Sequence, residues 1–401
     1  MAAPPKFIDT FRERDTRDEL GIGVVRDAFS DLMFPGTSTV QTRATYFLLV
    51  PWCYLKAEEY ARRTSAARDT LDAYTRDREI GLIKPLEAGG DVMGLLGRDA
   101  VRGLKQLPSA IYWQGLGTWG IRRFAGSRAQ LHRDLARTSR RGAVAEFSDP
   151  DEEPIRRDRL AAYWDPHLPT CPRDLWERSS LRLTHEEADY LRARILTAVP
   201  DSLLAWVVGL GAATNVAAPW GHPLRVDFLP AHQEQLFHGK AFSVSIRGAV
   251  ILYNLMLAEQ KTTIKHNGEA QPETDPLVDR YRDAFAGWGA EMEEAAEELA
   301  QWNRSRFWQI VLDTGARVSR TAAFVDTWLD MALARNAALI DDASARKLVR
   351  DREMRLKGKL SRFTNERSLE IWSEAAGMRR IDYRWSTVQT LVKDIVDGME
   401  A

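Results

Sequence analysis

The densest run of chemically capable side chains lies between Arg17 and Arg43. Its first part, Arg17-Asp18-Glu19-Leu20-Gly21-Ile22-Gly23-Val24-Val25-Arg26-Asp27, sets acids and arginines around two glycines, an unusual charge density for a connecting loop. Asp27 and Asp31 are four residues apart, so on a helix the two like charges are neighbours. Holding them together costs stability unless a cation or a shared proton relieves it, and Arg26 is placed to do so structurally. The alternative is that one carboxylate among Asp18, Glu19, Asp27 and Asp31 has a raised pKa or faces a substrate, as general acid–base chemistry requires. The next turn gathers Thr37, Ser38, Thr39, Gln41, Thr42 and Arg43 around an expected helix start. Free N–H groups and partial positive charge at such a start suit a phosphate; the competing reading is an ordinary capping box with no ligand.

A third constellation is Tyr112-Trp113-Gln114-Gly115-Leu116-Gly117-Thr118-Trp119-Gly120-Ile121-Arg122-Arg123. Trp113 and Trp119 can stack on or wedge between bases while Arg122 and Arg123 hold phosphates, or they can be core residues. Metal chemistry finds no support. The 7 histidines are scattered, and His232 and His238 have a poor spacing for a shared ion. Nucleotide-binding glycine loops, zinc-hydrolase and serine-hydrolase signatures are all missing, and no cofactor is implied.

The elements that must position these residues read as helices. Val24, Val25, Ala28, Phe29, Leu32 and Met33 recur at three- and four-residue spacing, which predicts a helix over Ile22 to Phe34, ended by Pro35-Gly36. A second helix is expected to open at Ser38 on the S-x-x-Q box of Ser38 and Gln41 and to run through Tyr46 to Leu55, with Pro51 inside it. Further helices are expected over Ala57 to Arg76, Met93 to Leu107, from Pro108, from the Thr184/Glu187 box, over Leu203 to Ala213, over about Gln233 to Gln260, and repeatedly after Pro276. Leu224 to Phe228 is a weak strand candidate. The fold class is mainly α, a multi-helix globular protein with little β structure. The division read from composition is a helical region 1–146, an acidic linker 147–158, a middle helical region 159–270 and a C-terminal helical region 271–401.

A chain of 401 residues can bury a large core without staples, and Cys53 and Cys171 follow no C-x-x-C spacing. With charged residues soon after Met1 and no apolar leader, a cytoplasmic location is expected, and the apolar stretch Leu203 to Pro219 is read as a buried helix rather than a span. Net charge is −1, but it is segregated. Residues 120–144 hold seven arginines against Asp134, and Arg346 to Arg367 holds nine cations against three acids, so each carries an excess of six. Such segregation fits a phosphate-binding face, or else solvated helix faces.

Three segments, RDELGIGVVRDAFSDLMFPGTSTVQTR from Arg17, LPSAIYWQGLGTWGIRRF from Leu107 and FSVSIRGAVILYNLMLAE from Phe242, together resemble a bacterial family of largely uncharacterised proteins from antiphage defence loci. The resemblance implies a DNA glycosylase that excises glucosylated hydroxymethylcytosine from double-stranded phage DNA, leaving abasic sites, with no cofactor and no membrane partner. On that reading the nucleotide is flipped out, Trp113 or Trp119 fills the gap, and the arginines, with Arg17 and Arg26, grip phosphates. An ionised carboxylate then stabilises positive charge on the deoxyribose; Glu19 and Asp27 are the candidates, with Asp18 behind them. The alternatives are a non-catalytic DNA-binding or scaffold subunit of a defence system, and a metal-dependent nuclease, which acids so mixed with arginines disfavour.

Overall fold

The structure is a computed structural model that describes residues 18–98, 106–145, 163–265 and 275–401, the side chains of 140–145 and 265 excepted. Arg17 and the segment 147–158 therefore lie outside the described residues.

Helices dominate: α1 (Gly23–Met33), α2 (Tyr46–Thr64), α3 (Arg68–Gly81), α4 (Ile83–Ala88), α5 (Pro108–Thr118), α6 (Arg128–Ala145), α7 (His185–Ala198), α8 (Leu203–Leu210), α9 (Pro230–Lys265), α10 (Pro276–Glu294), α11 (Ala296–Ala300), α12 (Arg304–Asp313), α13 (Ser319–Arg335), α14 (Ala343–Lys357), α15 (Glu366–Glu370) and α16 (Trp385–Met399). The β structure among the described residues is an isolated bridge between Arg122 and Trp164, so the mainly α class holds.

Several starts follow the sequence signals. Thr184 accepts from the Glu187 N–H, and Glu187 reaches back to the Thr184 N–H at 2.9 Å, a complete capping box. Pro108 opens α5 at a position where its missing N–H costs nothing. Other expectations fail for identifiable reasons. The helix expected from Ser38 begins at Tyr46, because the N–H groups of Thr42 and Arg43 donate to the Tyr112 hydroxyl and that of Ala44 to Asp394. The span Ala57 to Arg76 is broken at Ser65, which takes a left-handed conformation between α2 and α3. Residues 93–98 form turns, with Gly94 and Gly97 at positive φ, and Leu224 to Phe228 holds a 3₁₀ turn rather than a strand.

The chain divides into two compact units that are not consecutive in sequence, and the division falls inside α1 after Ser30. The α9 unit holds the described residues up to Ser30 and Leu224–Tyr383; the α2 unit holds Asp31–Pro223 and Arg384–Ala401. This differs from the sequential division read from composition.

In the α9 unit, α10, α13 and α14 pack around α9. Gly248 lets the Trp288 ring approach, since a Cβ there would lie 2.5 Å from it. Trp288 and Trp328 then donate to the carbonyls of Val244 and Ser245, both at 2.9 Å, so the buried indoles keep their hydrogen bonds. By length and composition Pro230–Ile264 is apolar enough to cross a membrane, but 94% of its apolar window is buried inside the protein, the mark of a core helix. In the α2 unit, α2 packs on α3, α5 and α6, and α16 packs on α7 and α8.

Candidate functional site

Of the acids in the N-terminal block, Glu19 is the one drawn into the interior, 5% exposed. Backbone geometry places it there. Arg352 of α14 donates from Nε to the Leu20 carbonyl at 2.8 Å and from Nη2 to the Gly21 carbonyl at 3.2 Å, and also binds the Arg320 carbonyl and Thr321. Gly21 sits at φ +65°, and a Cβ there would meet Arg352 Nη2 at 2.5 Å, so the clamp requires glycine.

This anchor sets the Glu19 carboxylate among cations from the end of α14. Lys357 Nζ lies 3.2 Å and Arg362 Nη1 2.8 Å from Oε2. Both cations meet the carboxylate as close ion pairs, and Arg362 Nη1 aims its N–H at Tyr253 instead, so the contacts are electrostatic more than well-aligned hydrogen bonds. Arg362 is itself held: Nη1 donates to the Tyr253 hydroxyl at 2.7 Å and its backbone N–H to Glu353 at 2.9 Å, while Ser361 donates to Glu353. Burial works against the Arg362 charge, but Tyr253 and Glu19 outweigh it and raise its pKa. Burial likewise pushes the Tyr253 hydroxyl up, against the opposing pull of Arg362. Charges this deeply placed are weakly screened, so the field of the cluster acts strongly on any charge formed beside it.

The neighbouring acids are committed elsewhere. Asp18 accepts the N–H groups of Ile22 and Gly23, each at 2.8 Å, and so caps the start of α1. Asp27 is half exposed and pairs with Arg26 at 3.0 Å, the structural relief that the sequence allowed. Within the α2 unit, Asp31 pairs with Arg384 at 2.6 Å.

The turn from Thr37 to Arg43 belongs to the α2 unit and is held by its own residues and by others of that unit. Thr37 donates to the Phe34 carbonyl, Gln41 accepts from the Ser38 N–H at 3.0 Å and donates to Gly36, and Thr42 donates to Gly94. The Ser38 hydroxyl is buried without a partner, and Thr39 is exposed. Arg43 spends its side-chain donors on Asp394, Asp91 and the carbonyls of Met93 and Leu181. The turn is no helix start, and its guanidinium is engaged by Asp394 and Asp91.

Trp119 is fully buried, stacks on Phe47 at 3.9 Å and donates to the Pro35 carbonyl at 2.9 Å, which makes it core. Trp113 is half-buried; its N–H donates to the Gly126 carbonyl and Arg122 lies over its face at 4.8 Å. Arg122 also donates to the carbonyls of Trp113, Phe124 and Gly126, binding one loop together, and burial lowers its pKa. Arg123 is exposed. No group of three or more His, Cys, Asp or Glu side chains among the described residues is arranged to hold a metal.

A family model described as a family of unknown function (DUF6361) matches residues 3–398. The chain belongs to this family. No curated protein and no solved structure matches the chain.

Sequence reasoning missed two features. One is the partner set of Glu19: the basic run after Arg346 was legible as charge, but not as the wall around that carboxylate. The other is a pair of buried carboxyls in the α2 unit. Glu58 accepts from Trp164 at 2.8 Å and Glu79 from the Ser109 N–H at 2.8 Å, each leaving one oxygen unpartnered, and burial raises both to about 7. Their signal was position: Glu58 follows Tyr54 and Glu79 follows Thr75 by one helical turn, on buried faces.

Proposed function

We propose that the chain is a DNA glycosylase that hydrolyses the N-glycosidic bond of glucosylated hydroxymethylcytosine in phage DNA. The reading draws on the sequence resemblance described above, which extends to similarity with Brig, a phage-defence DNA glycosylase. The observation that carries it is Glu19: a buried carboxylate flanked at short range by Lys357 and Arg362.

The reaction adds water across the C1′–N bond, its hydroxyl going to C1′ and its proton to the departing base. Positive charge builds on the deoxyribose as the bond opens, and an ionised carboxylate beside C1′ offsets it. Lys357 and Arg362 set two positive charges beside Oε2. Lys357 is the more exposed of the pair, 28% against 11%, so a DNA phosphate can draw it away and open one side of the carboxylate while Arg362 stays in place.

The second reading, a DNA-binding subunit without chemistry, is favoured by the small exposure of Glu19, which suits a structural clamp equally well. Incubation with EDTA on glucosylated phage DNA and on unmodified DNA, followed by assay for free base and alkali-labile sites, separates the two. Release from the glucosylated substrate alone is expected, and Glu19→Gln should abolish it while DNA retention persists. No release from either substrate refutes the glycosylase; strand breaks that need Mg²⁺ would point to a nuclease.

A further inference from the structure

Two charge networks of the α9 unit are built alike and differ by one acid. Towards the C-terminal end of α9, Arg282 and Arg346 share Glu259 and Asp341; each carboxylate meets both guanidiniums, at 2.6 to 3.4 Å. Two positive charges there face two negative ones. Earlier on the same helix, Arg247 and Arg380 share Glu291 alone, Arg247 Nη1 donating to Oε2 at 2.9 Å and Arg380 Nη2 to Oε1. Here two positive charges face one.

Packing fixes the second group. Ser243 donates to the Ile381 carbonyl at 2.8 Å and the Tyr383 hydroxyl to the Gly239 carbonyl at 2.7 Å, which clamps the segment carrying Arg380 along α9. Arg247 stands one helical turn after Ser243, on the same face. On α10, the bond from Trp288 to Val244 sets Glu291, one turn later, between the two guanidiniums. The carboxylate gives one oxygen to each arginine, so each guanidinium spends a single N–H and has no other acceptor among the described residues. Arg247 Nε is buried in that state. Arg43 and Arg352 differ: they spend their donors on several acceptors each. Burial, and then the neighbouring Arg247 charge, work against the Arg380 guanidinium and lower its pKa. The two side chains are 33% and 41% exposed, open to a solute. Water can hydrate their spare N–H groups but brings no charge, whereas a compact anion supplies both acceptors and the missing negative charge.

We propose that Arg247 and Arg380 together bind a phosphate group, which takes the part that a second carboxylate plays in the Glu259 network. The planar forks of two guanidiniums match phosphate oxygens. Glu293 and Glu294, exposed just beyond Glu291 on α10, repel an extended polyanion, so the ligand is a small phosphate or phosphomonoester rather than a DNA backbone. The inference is independent of the base excision proposed above. Calorimetric titration of the full chain with inorganic phosphate, at constant ionic strength and neutral pH, tests it. One saturable site is expected, weakened roughly tenfold or more in Arg380→Gln and in Arg247→Gln, each of which loses a charge-assisted hydrogen bond. Arg282→Gln, in the balanced network, should bind as the unmodified protein does. Glu291→Gln should bind phosphate more tightly, because it removes the competing negative charge. Thermal melts establish that each variant folds; phosphate should raise the midpoint of the unmodified protein and leave that of Arg380→Gln unmoved. Absence of saturable binding overturns the proposal, as does equal affinity in Arg380→Gln. A labelled DNA duplex separates the two sources of phosphate: duplex binding that Arg247→Gln and Arg380→Gln weaken, with no binding of inorganic phosphate, overturns the small ligand.

Discussion

Replacing Glu79 with Gln should flatten the pH dependence of stability in one window. The carboxyl sits near the start of α5 and accepts the Ser109 N–H at 2.8 Å, yet burial outweighs that bond and raises its pKa from 4.5 to about 7. Its other oxygen has no partner beside a small cavity that Cys53, Leu82 and Pro108 also line. Below pH 4.5 both the folded and the unfolded chain carry it protonated. Between 4.5 and 7 the unfolded chain ionises it and the folded chain does not, so stability falls as pH rises; above 7 the difference is constant. At about 1.4 kcal/mol per unit, the fall is about 3 kcal/mol. Urea unfolding followed by tryptophan fluorescence from pH 4.5 to 8 measures it. Glu79→Gln should match the unmodified protein near pH 4.5 and exceed it by up to about 3 kcal/mol at pH 8. Two curves that run parallel across the range would refute the reasoning, and with it the claim that this carboxyl is buried without compensation.

Three further outcomes follow from the same contacts. Gly21→Ala forces a side chain onto Arg352 at positive φ and should cost about 2 kcal/mol or more, read as a lower midpoint in urea, with base release falling in parallel. Asp394→Asn removes one of the two carboxylates paired with buried Arg43, leaving Asp91, and should cost about 1–3 kcal/mol in the same unfolding assay, without changing the salt slope of DNA binding. Trp119→Ala removes a ring stacked on Phe47 and should cost about 3–5 kcal/mol by cavity formation, whereas loss of DNA binding from a fully stable Trp119→Ala would restore a base-stacking role.

Local signals in the sequence were read where the partners are local. The periodicity of α1, the Thr184/Glu187 box and the proline start of α5 each depend on residues within a few positions, and each stands in the structure. The start of α2 did not, because it is set by the Tyr112 hydroxyl and by Asp394, hundreds of residues away in the second case. The same distance hid the site. Glu19 stood out by residue type, but Lys357 and Arg362, which give it its character, come from the far end of the chain. Glu58 and Glu79 match no motif in the sequence, and tertiary packing is what removes them from water. Trp113, Trp119 and Arg122 went the other way, engaged by carbonyls and ring stacking within one unit, while Arg123 stays exposed.

The discontinuity of the α2 unit has a kinetic corollary. Arg43 is made early, but its carboxylate partner Asp394 lies on α16, and the whole of Leu224–Tyr383 is synthesised between them. On the ribosome the α9 unit therefore has its C-terminal elements before the α2 unit can close, and until α16 emerges the guanidinium and the face of α7 await their cover. Closure across so long an intervening stretch is slow relative to local helix packing, so the last step of folding should be the docking of α16, the point at which a chaperone would hold the chain.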